Sequence, residues 1–245
     1  MNHNYQFLTW EDVKSLDKDK AVILIPLGSI EQHGPQNPIG TDYLISTYIA
    51  EKASEKNPKA YSLPPIPIGV SSHHRNFPGT LWFSPDVFRS IVREIFLSLK
   101  HHGFRKIIVV NGHGGNTSSI MEVIGDFNDR FDFIALLFEW WKDEQILKKV
   151  IGHSQVIHAD EVETSVIWAI YEEYVKEEKF EKLTSSPMWG RYIGDLFLSS
   201  RTDQFTKSGI AGALNEISRE NGLKILEACI DKLDEHIKLL SNYKG

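Results

Sequence analysis

Ala21-Val-Ile-Leu-Ile-Pro26, followed closely by Gly28-Ser-Ile-Glu-Gln-His-Gly-Pro-Gln-Asn-Pro-Ile-Gly-Thr-Asp42, decides how this chain is read. The first segment is continuously apolar, as a strand covered on both faces requires. The second sets Glu31, His33 and Asp42 on a short loop. Pro35 and Pro38 stiffen that loop, and Gly34 and Gly40 let it turn sharply. Glu31 and His33 are two apart, so on extended chain both project to one side.

Working outward, Phe104-Arg-Lys-Ile-Ile-Val-Val110 reads as a second buried strand and Phe133-Ile-Ala-Leu-Leu-Phe138 as a third strand. Helical patterns lie between them. The first runs from Asp42 to about Asn57, with Leu44, Ile45, Tyr48 and Ile49 on one face. The second opens on Ser84-Pro85, continues through Phe88, Ile91, Val92, Ile95, Phe96 and Leu99, and is ended by Gly103. Asn116 is expected to cap a third. Another helix is expected from near Asp160 to roughly Phe180. From Gly222, the residues Leu223, Leu226, Ile230, Leu233, Ile237 and Leu240 form an apolar stripe at helical spacing. That stripe is expected to pack on the chain's own sheet, with an oligomer contact as the alternative. Residues 62–71 are proline-rich and read as irregular or extended, and 181–210 give no clear pattern. Strands alternating with helices predict an α/β fold, a mostly parallel sheet covered on both faces. No low-complexity linker or internal repeat divides residues 1–245, so a single domain is expected.

Composition excludes several classes of function. The chain has 245 residues, is 41% hydrophobic and 24% charged, and carries a net charge of -6. With no long basic run, nucleic acid is not an expected partner. No apolar stretch reaches the roughly 18 residues that span a bilayer, so no membrane association is expected. The N-terminus lacks the charged and apolar regions of a secretory signal. The single cysteine, Cys229, excludes an internal disulfide and fits a reducing cytoplasm. It falls within the tail helix, where a core thiol is the expected role.

Ligands bind outside the carboxyl ends of strands in open α/β sheets. Both Glu31/His33/Asp42 and the turn Asn111-Gly-His-Gly-Gly-Asn116 follow strands directly, which brings His113 to the same edge. Val156-Ile-His158-Ala-Asp-Glu-Val-Glu163-Thr-Ser165 adds His158 before a helix and Glu163 in its first turn, where a carboxylate gains from the positive helix end. Three carboxylates and two imidazoles are more than one ion needs. Two divalent ions bridged by Asp42 fit better, roughly 3.5–4 Å apart, making a water nucleophilic and polarising a carbonyl. His158 is then left as the catalytic proton shuttle. Plainer readings exist for each residue. Asp42 opens a helix and could only cap it. The glycine-rich turn could cradle a phosphate, although it lacks the lysine of a P-loop. His158 could be a structural histidine, and Glu163 a first-turn charge. Asp160 and Glu161 read as solvated helix-start acids, and His101 and His102 as partners of a helix C-terminus. On extended chain His73 and His74 cannot both point inward, and His74 is the better pocket candidate. Trp140, Trp141 and Trp189 read first as core or interface, with Trp141 the candidate for substrate contact. No Gly-x-Ser-x-Gly elbow or His-Glu-x-x-His helix is present.

Taken in order, Gly28-Ser-x-Glu-Gln-His-Gly-Pro, Thr41-Asp42, His74-x-x-Phe-Pro-Gly-Thr80, Asn111-Gly-His-Gly-Gly-Asn116 and His158-Ala-x-x-x-Glu163-Thr-Ser165 resemble the creatininase (creatinine amidohydrolase) family. A weaker echo lies at Gly209 to Gly222. The resemblance implies a three-layer α/β/α sandwich with a dinuclear centre of zinc, manganese or iron. It implies hydrolysis of cyclic amides, formamides or related carbonyl compounds by a metal-bound hydroxide, often in a homohexamer. By resemblance, Glu31, His33, Asp42 and His113 match the family's metal ligands, Asp42 its bridge, and His158 its proton-transfer histidine. One departure stands out. Creatininase itself carries a tyrosine and a metal-binding glutamate where this chain has Gly114 and Gly115. Glu163 is the candidate replacement ligand, and creatinine is not the expected substrate. Related activities include a formamidopyrimidine deformylase, a peptide-processing enzyme and a hydrolase opening a keto-inositol ring. Hydrolytic C–N cleavage of a small polar substrate is therefore expected. C–C opening of a cyclic diketone is the nearest alternative, and a non-catalytic, metal-stabilised assembly subunit the alternative of another class.

Overall fold

The computed structural model describes residues 3–153, 155–182, 184–185 and 189–244. Met1 and Asn2, with which the N-terminal reading began, lie outside them. In chain order the main elements are α1 (Trp10–Ser15), β1 (Val22–Leu27), α2 (Thr41–Lys56), β2 (Ala60–Ser62), α3 (Pro85–His101), β3 (Lys106–Asn111), α4 (Thr117–Arg130), β4 (Ile134–Glu139), α5 (Glu144–Ile151) and α6 (Glu161–Ile170). There follow the short strands β5 (Thr184–Ser185), β6 (Gly190–Ile193), β7 (Leu196–Ser199) and β8 (Gly212–Ala213), and the long helix α7 (Arg219–Asn242). The central sheet has the order β2-β1-β3-β4, and every pair in it is parallel. Small antiparallel pairs β5-β8 and β6-β7 lie outside it.

The apolar runs explain the layers. Successive residues of a strand face opposite sides. Val22, Leu24, Ile108 and Val110 pack with α2, α6 and α7 on one face. Ile23, Ile25, Leu27, Ile107 and Val109 pack with α3 and α4 on the other. The fold is thus α/β, a parallel sheet between two helical layers. α3 begins as its sequence predicts: the Ser84 hydroxyl accepts from Val87 N–H, Pro85 takes the first turn, and Gly103, at a φ of 86°, closes the end. Of the α7 stripe, Leu226, Leu233, Ile237 and Leu240 lie in the first core with Ile225 and Cys229, Ile230 packs against it, and Leu223 is exposed. Burial pushes the Cys229 thiol up to about 12, so it is a core side chain.

One strand is unread in the sequence, and two expectations need correction. Ala60–Ser62, at the margin of the irregular stretch, is a strand, paired from Val22↔Ala60 to Leu24↔Ser62; Pro64 and Pro65 confine it to three residues. The helix expected to reach Phe180 ends at Ile170, and two 3₁₀ turns follow, Glu172–Tyr174 and Glu177–Lys179. Burial of Val175 and a hydrogen bond from Lys176 N–H to Gln36 O draw the segment off the helix axis. Asn116 sits at the N-cap of α4 without capping it. Its side chain instead accepts from Val70 N–H and donates to Gly28 O, tying three loops together. Among the described residues, no helix is long and apolar enough to cross a membrane.

Gly112 sets the distance between β3 and α2. Its N–H donates to Leu27 O at 2.7 Å, and a Cβ there would lie 2.1 Å from the carbonyl oxygen of Asp42. Gly112→Ala must therefore displace the first turn of α2, which carries Asp42. The expected result is a lower melting temperature together with weaker metal uptake, checked by calorimetry and elemental analysis of the same preparation.

Candidate metal centre

The loops after β1 and β3 leave the same end of the parallel sheet and converge there. Glu31 is held by its own N–H to Ile39 O at 2.8 Å, and Ile30 bridges to Leu81. Asp42 is the second residue of α2, and Glu163 lies in the first turn of α6. His158 is fastened by a bridge to Ala211. Glu31 and His33 are fully buried, and Asp42, His113, His158 and Glu163 nearly so.

The separations are short. Asp42 Oδ1 lies 2.8 Å from His33 Nε2, and its Oδ2 lies 3.0 Å from His113 Nδ1. Glu31 Oε2 is 3.3 Å from His113 Nδ1, and Glu163 Oε2 is 3.7 Å from His33 Nε2. Three overlapping groups can each converge on one ion: Glu31/Asp42/His113, His33/Asp42/Glu163 and Glu31/His33/His158. The imidazoles are oriented for it. His33 Nδ1–H donates to Glu31 O at 3.1 Å, which turns its Nε2 lone pair toward the acids. His113 Nε2–H donates to Val70 O at 3.2 Å, which does the same for its Nδ1.

Glu31 Oε1 and Oε2, Asp42 Oδ2 and His33 Nε2 are buried without an aligned hydrogen bond. Buried polar atoms are ordinarily satisfied, and carboxylate oxygens without donors call for a cation. An oxygen and nitrogen donor set of this kind suits zinc, manganese or iron(II).

Burial pushes the Glu31 carboxyl up to about 7 and that of Glu163 up to about 8, against the pull of His113 and His33 respectively. Burial acts the same way on Asp42, but His33 and His113 overcome it and hold its carboxyl well below the usual range. Burial lowers both of those imidazoles, yet the facing acids outweigh it and raise His33 to about 10 and His113 to about 9. Ligation needs these groups without their protons, so metal affinity should climb with pH. The metal-free chain should behave oppositely. Raised groups bind protons more tightly when folded, so their stabilisation drains as pH climbs from 4.5 to about 7 for Glu31 and about 8 for Glu163, and from 6.5 to about 10 for His33 and about 9 for His113. His73, His74 and His158 are depressed, mainly by burial, and act the other way only below their ordinary value near 6.5. From pH 7 to 9, chelator-treated protein should lose melting temperature while apparent zinc affinity rises at least tenfold. Paired pH series of calorimetry and metal titration check both trends.

Beside this cluster lies a cavity of about 160 Å³ lined by Glu31, His73, Trp141, Glu163 and Trp189 among others. His74 is buried, with Nε2 3.3 Å from Glu31 Oε1 and Nδ1 3.0 Å from Thr202 Oγ1. His73 also reaches the cavity, its ring stacked on His113 with centroids 5.7 Å apart. The argument that only one of the pair can face inward assumed extended chain; Ser72–His74 is a 3₁₀ turn. Trp140 is core, whereas Trp141 and Trp189 line the cavity. Asp160 and Glu161 are not solvated. Asp160 caps α6, and Glu161 accepts from the backbone N–H groups of Asn215 and Glu216 and from His153. Sequence reasoning missed Gln32, whose amide lies 2.9 Å from His74 Nδ1 and 2.7 Å from His158 Nε2. Its place between Glu31 and His33 was the available signal.

The family model for creatininase, described as creatinine amidohydrolase, matches residues 6–237. The chain is 32% identical to a 3-dehydro-scyllo-inosose hydrolase of Thermotoga maritima over 71% of its own length and 58% of that protein, so it spans less than two thirds of that relative. It is 25% identical to a creatinine amidohydrolase of Pseudomonas putida over 94% of each chain. A solved manganese form of creatininase superposes with a TM-score of 0.86 at 22% identity, covering 99% of this chain and 100% of that one, a likeness of fold. With the family model matching almost end to end, this chain belongs to the creatininase family.

Proposed function

We propose that the chain, as one domain over residues 1–245, is a dinuclear metal-dependent hydrolase that cleaves a cyclic amide or formamide C–N bond in a small polar substrate. The observation that carries this reading is the division of Asp42. One of its oxygens faces His33, with Glu163 beyond; the other faces His113, with Glu31 beside it. That division supports two ligand sets sharing one aspartate. Divalent ions held there, whether zinc, manganese or iron, supply Lewis acidity to a carbonyl and lower the pKa of water.

The chain's own groups do the rest. Trp141, Trp189 and His73 wall the cavity, and His74 stands behind Glu31. His158 reaches toward Glu31 Oε1 at 3.6 Å through Nδ1. There it can take a proton from the attacking water and return it to the departing nitrogen as the C–N bond breaks. A cavity of this size admits a small ring compound, which is the proposed partner; a homo-oligomer, a hexamer by family likeness, is the proposed assembly. Among the described residues no lysine or arginine lines the cavity, which fits an uncharged substrate. That feature and the likeness to an inosose hydrolase favour a second reading, C–C opening of a cyclic polyol diketone. Incubation of zinc- or manganese-loaded protein with cyclic amides, formamides and inosose-type diketones, with products identified by mass spectrometry, separates the two. Turnover of none of these classes would overturn both.

A further inference from the structure

Ala159 is the one residue other than glycine, among the described residues, with a positive φ, 50°. A side chain in that region crowds the neighbouring backbone, and the conformation persists only where the surroundings impose it. Ala159 stands between His158 and Asp160, the N-cap of α6. The chain arrives along the bridge to Ala211, with hydrogen bonds of 3.0 and 2.9 Å, and must turn at once into the helix. The reversed Ala159 N–H donates to Glu163 Oε2 at 2.5 Å. One backbone turn therefore aims His158 and fixes the Glu163 carboxylate.

A side chain from the other ligand loop is hydrogen-bonded to this turn. Gln36, fully buried between His33 and Asp42 in sequence, donates its amide to Ala159 O at 2.9 Å and to Thr164 Oγ1 at 3.2 Å. Asn37 donates to the same Thr164 hydroxyl at 2.9 Å. The Gln36 backbone carbonyl accepts from Lys176 N–H at 2.9 Å, which anchors the residue in its loop. We infer that Gln36 is a positioning residue: by holding Ala159 in the left-handed conformation, it sets Glu163 against His33 and Asp42 and completes the second ligand set. This rests on the two-ion reading above.

A merely structural hydrogen bond and a clamp on φ differ in one consequence. Glycine adopts a positive φ without help, so Ala159→Gly should make the clamp dispensable. Wild type, Gln36→Leu, Ala159→Gly and the double variant are reconstituted with zinc, counted by elemental analysis and titrated against a chelator, with circular dichroism confirming folding. Outer-shell changes at metal sites typically cost roughly 10–100-fold in affinity. Gln36→Leu should weaken the second zinc by at least about tenfold, and the double variant should return to within about threefold of Ala159→Gly. Should Gln36→Leu fail to fold, Gln36→Met, which keeps the length and loses the donor, replaces it with the same expected outcomes. Wild-type affinity in the Gln36 variant, or a double variant as weak as the single, would overturn the clamp. Failure of the two-ion reading would show separately, as fewer than two zinc ions per wild-type chain.

Discussion

Asp42→Ala should strip the protein of both ions, not of one. Its two oxygens face different imidazoles, so both ligand sets that meet at Asp42 lose a carboxylate at once. A variant lacking only Glu163 or Glu31 keeps one of the two sets intact. Elemental analysis should find bound zinc near zero for Asp42→Ala and near half the wild-type content for Glu163→Ala. The thermal signature should separate them as well. Metal that binds only the folded chain stabilises it by about 2.7 kcal/mol at a hundredfold excess over the dissociation constant. Asp42→Ala forfeits that for each ion. It also removes the carboxylate that His33 and His113 share, leaving two buried imidazoles with one fewer of the charges that raise them in the metal-free state. Added zinc should raise the melting temperature of wild type and leave that of Asp42→Ala unmoved. Equal metal content in the two proteins would remove the bridging role.

Much of this arrangement is legible in the sequence, and the exceptions have physical causes. Ala21–Pro26, Ile107–Val110 and Phe133–Phe138 are apolar without interruption, and the structure puts strands at all three, with helices packed on both faces of β1 and β3. The three residues of β2 carry too little pattern to be read, since their pairing to β1 is decided by the neighbour. The same holds at the site. Glu31, His33, Asp42 and His113 are local to two turns, so their convergence follows from parallel strands ending together. Glu161 looked like a solvated helix-start acid because its donors, the backbone of Asn215 and Glu216, lie far along the chain. His73 was set aside by an argument from extended backbone that a 3₁₀ turn does not obey. Sequence spacing thus finds ligands carried by regular elements. It loses groups whose orientation depends on irregular backbone or on distant partners.

His158→Ala should do what Asp42→Ala cannot: remove turnover and leave the metal. His158 is buried against the cluster, yet its contacts differ in kind from those of His33 and His113. Its Nδ1 is 3.6 Å from Glu31 Oε1, whereas His113 Nδ1 is 3.3 Å from Oε2 and 3.0 Å from Asp42. Its Nε2 is engaged by Gln32, 3.0 Å from the backbone oxygen and 2.7 Å from the amide. Burial and the neighbouring His33 keep the ring well below its ordinary value, hence neutral and able to accept a proton at Nδ1. Removing a general acid–base typically costs about 10²–10⁴-fold in rate, so kcat should fall in that range while KM and zinc content hold. Two other outcomes are informative. Loss of one zinc ion would make His158 a ligand, as its group with Glu31 and His33 permits. Unchanged turnover would leave proton transfer to another group, with His73 and His74 the remaining imidazoles on the cavity wall. A protein that binds zinc yet turns over none of the candidate ring compounds, with or without His158, would instead favour the assembly role. The experiment thus separates an enzyme from a metal-stabilised scaffold, because only an enzyme has a rate for this imidazole to change.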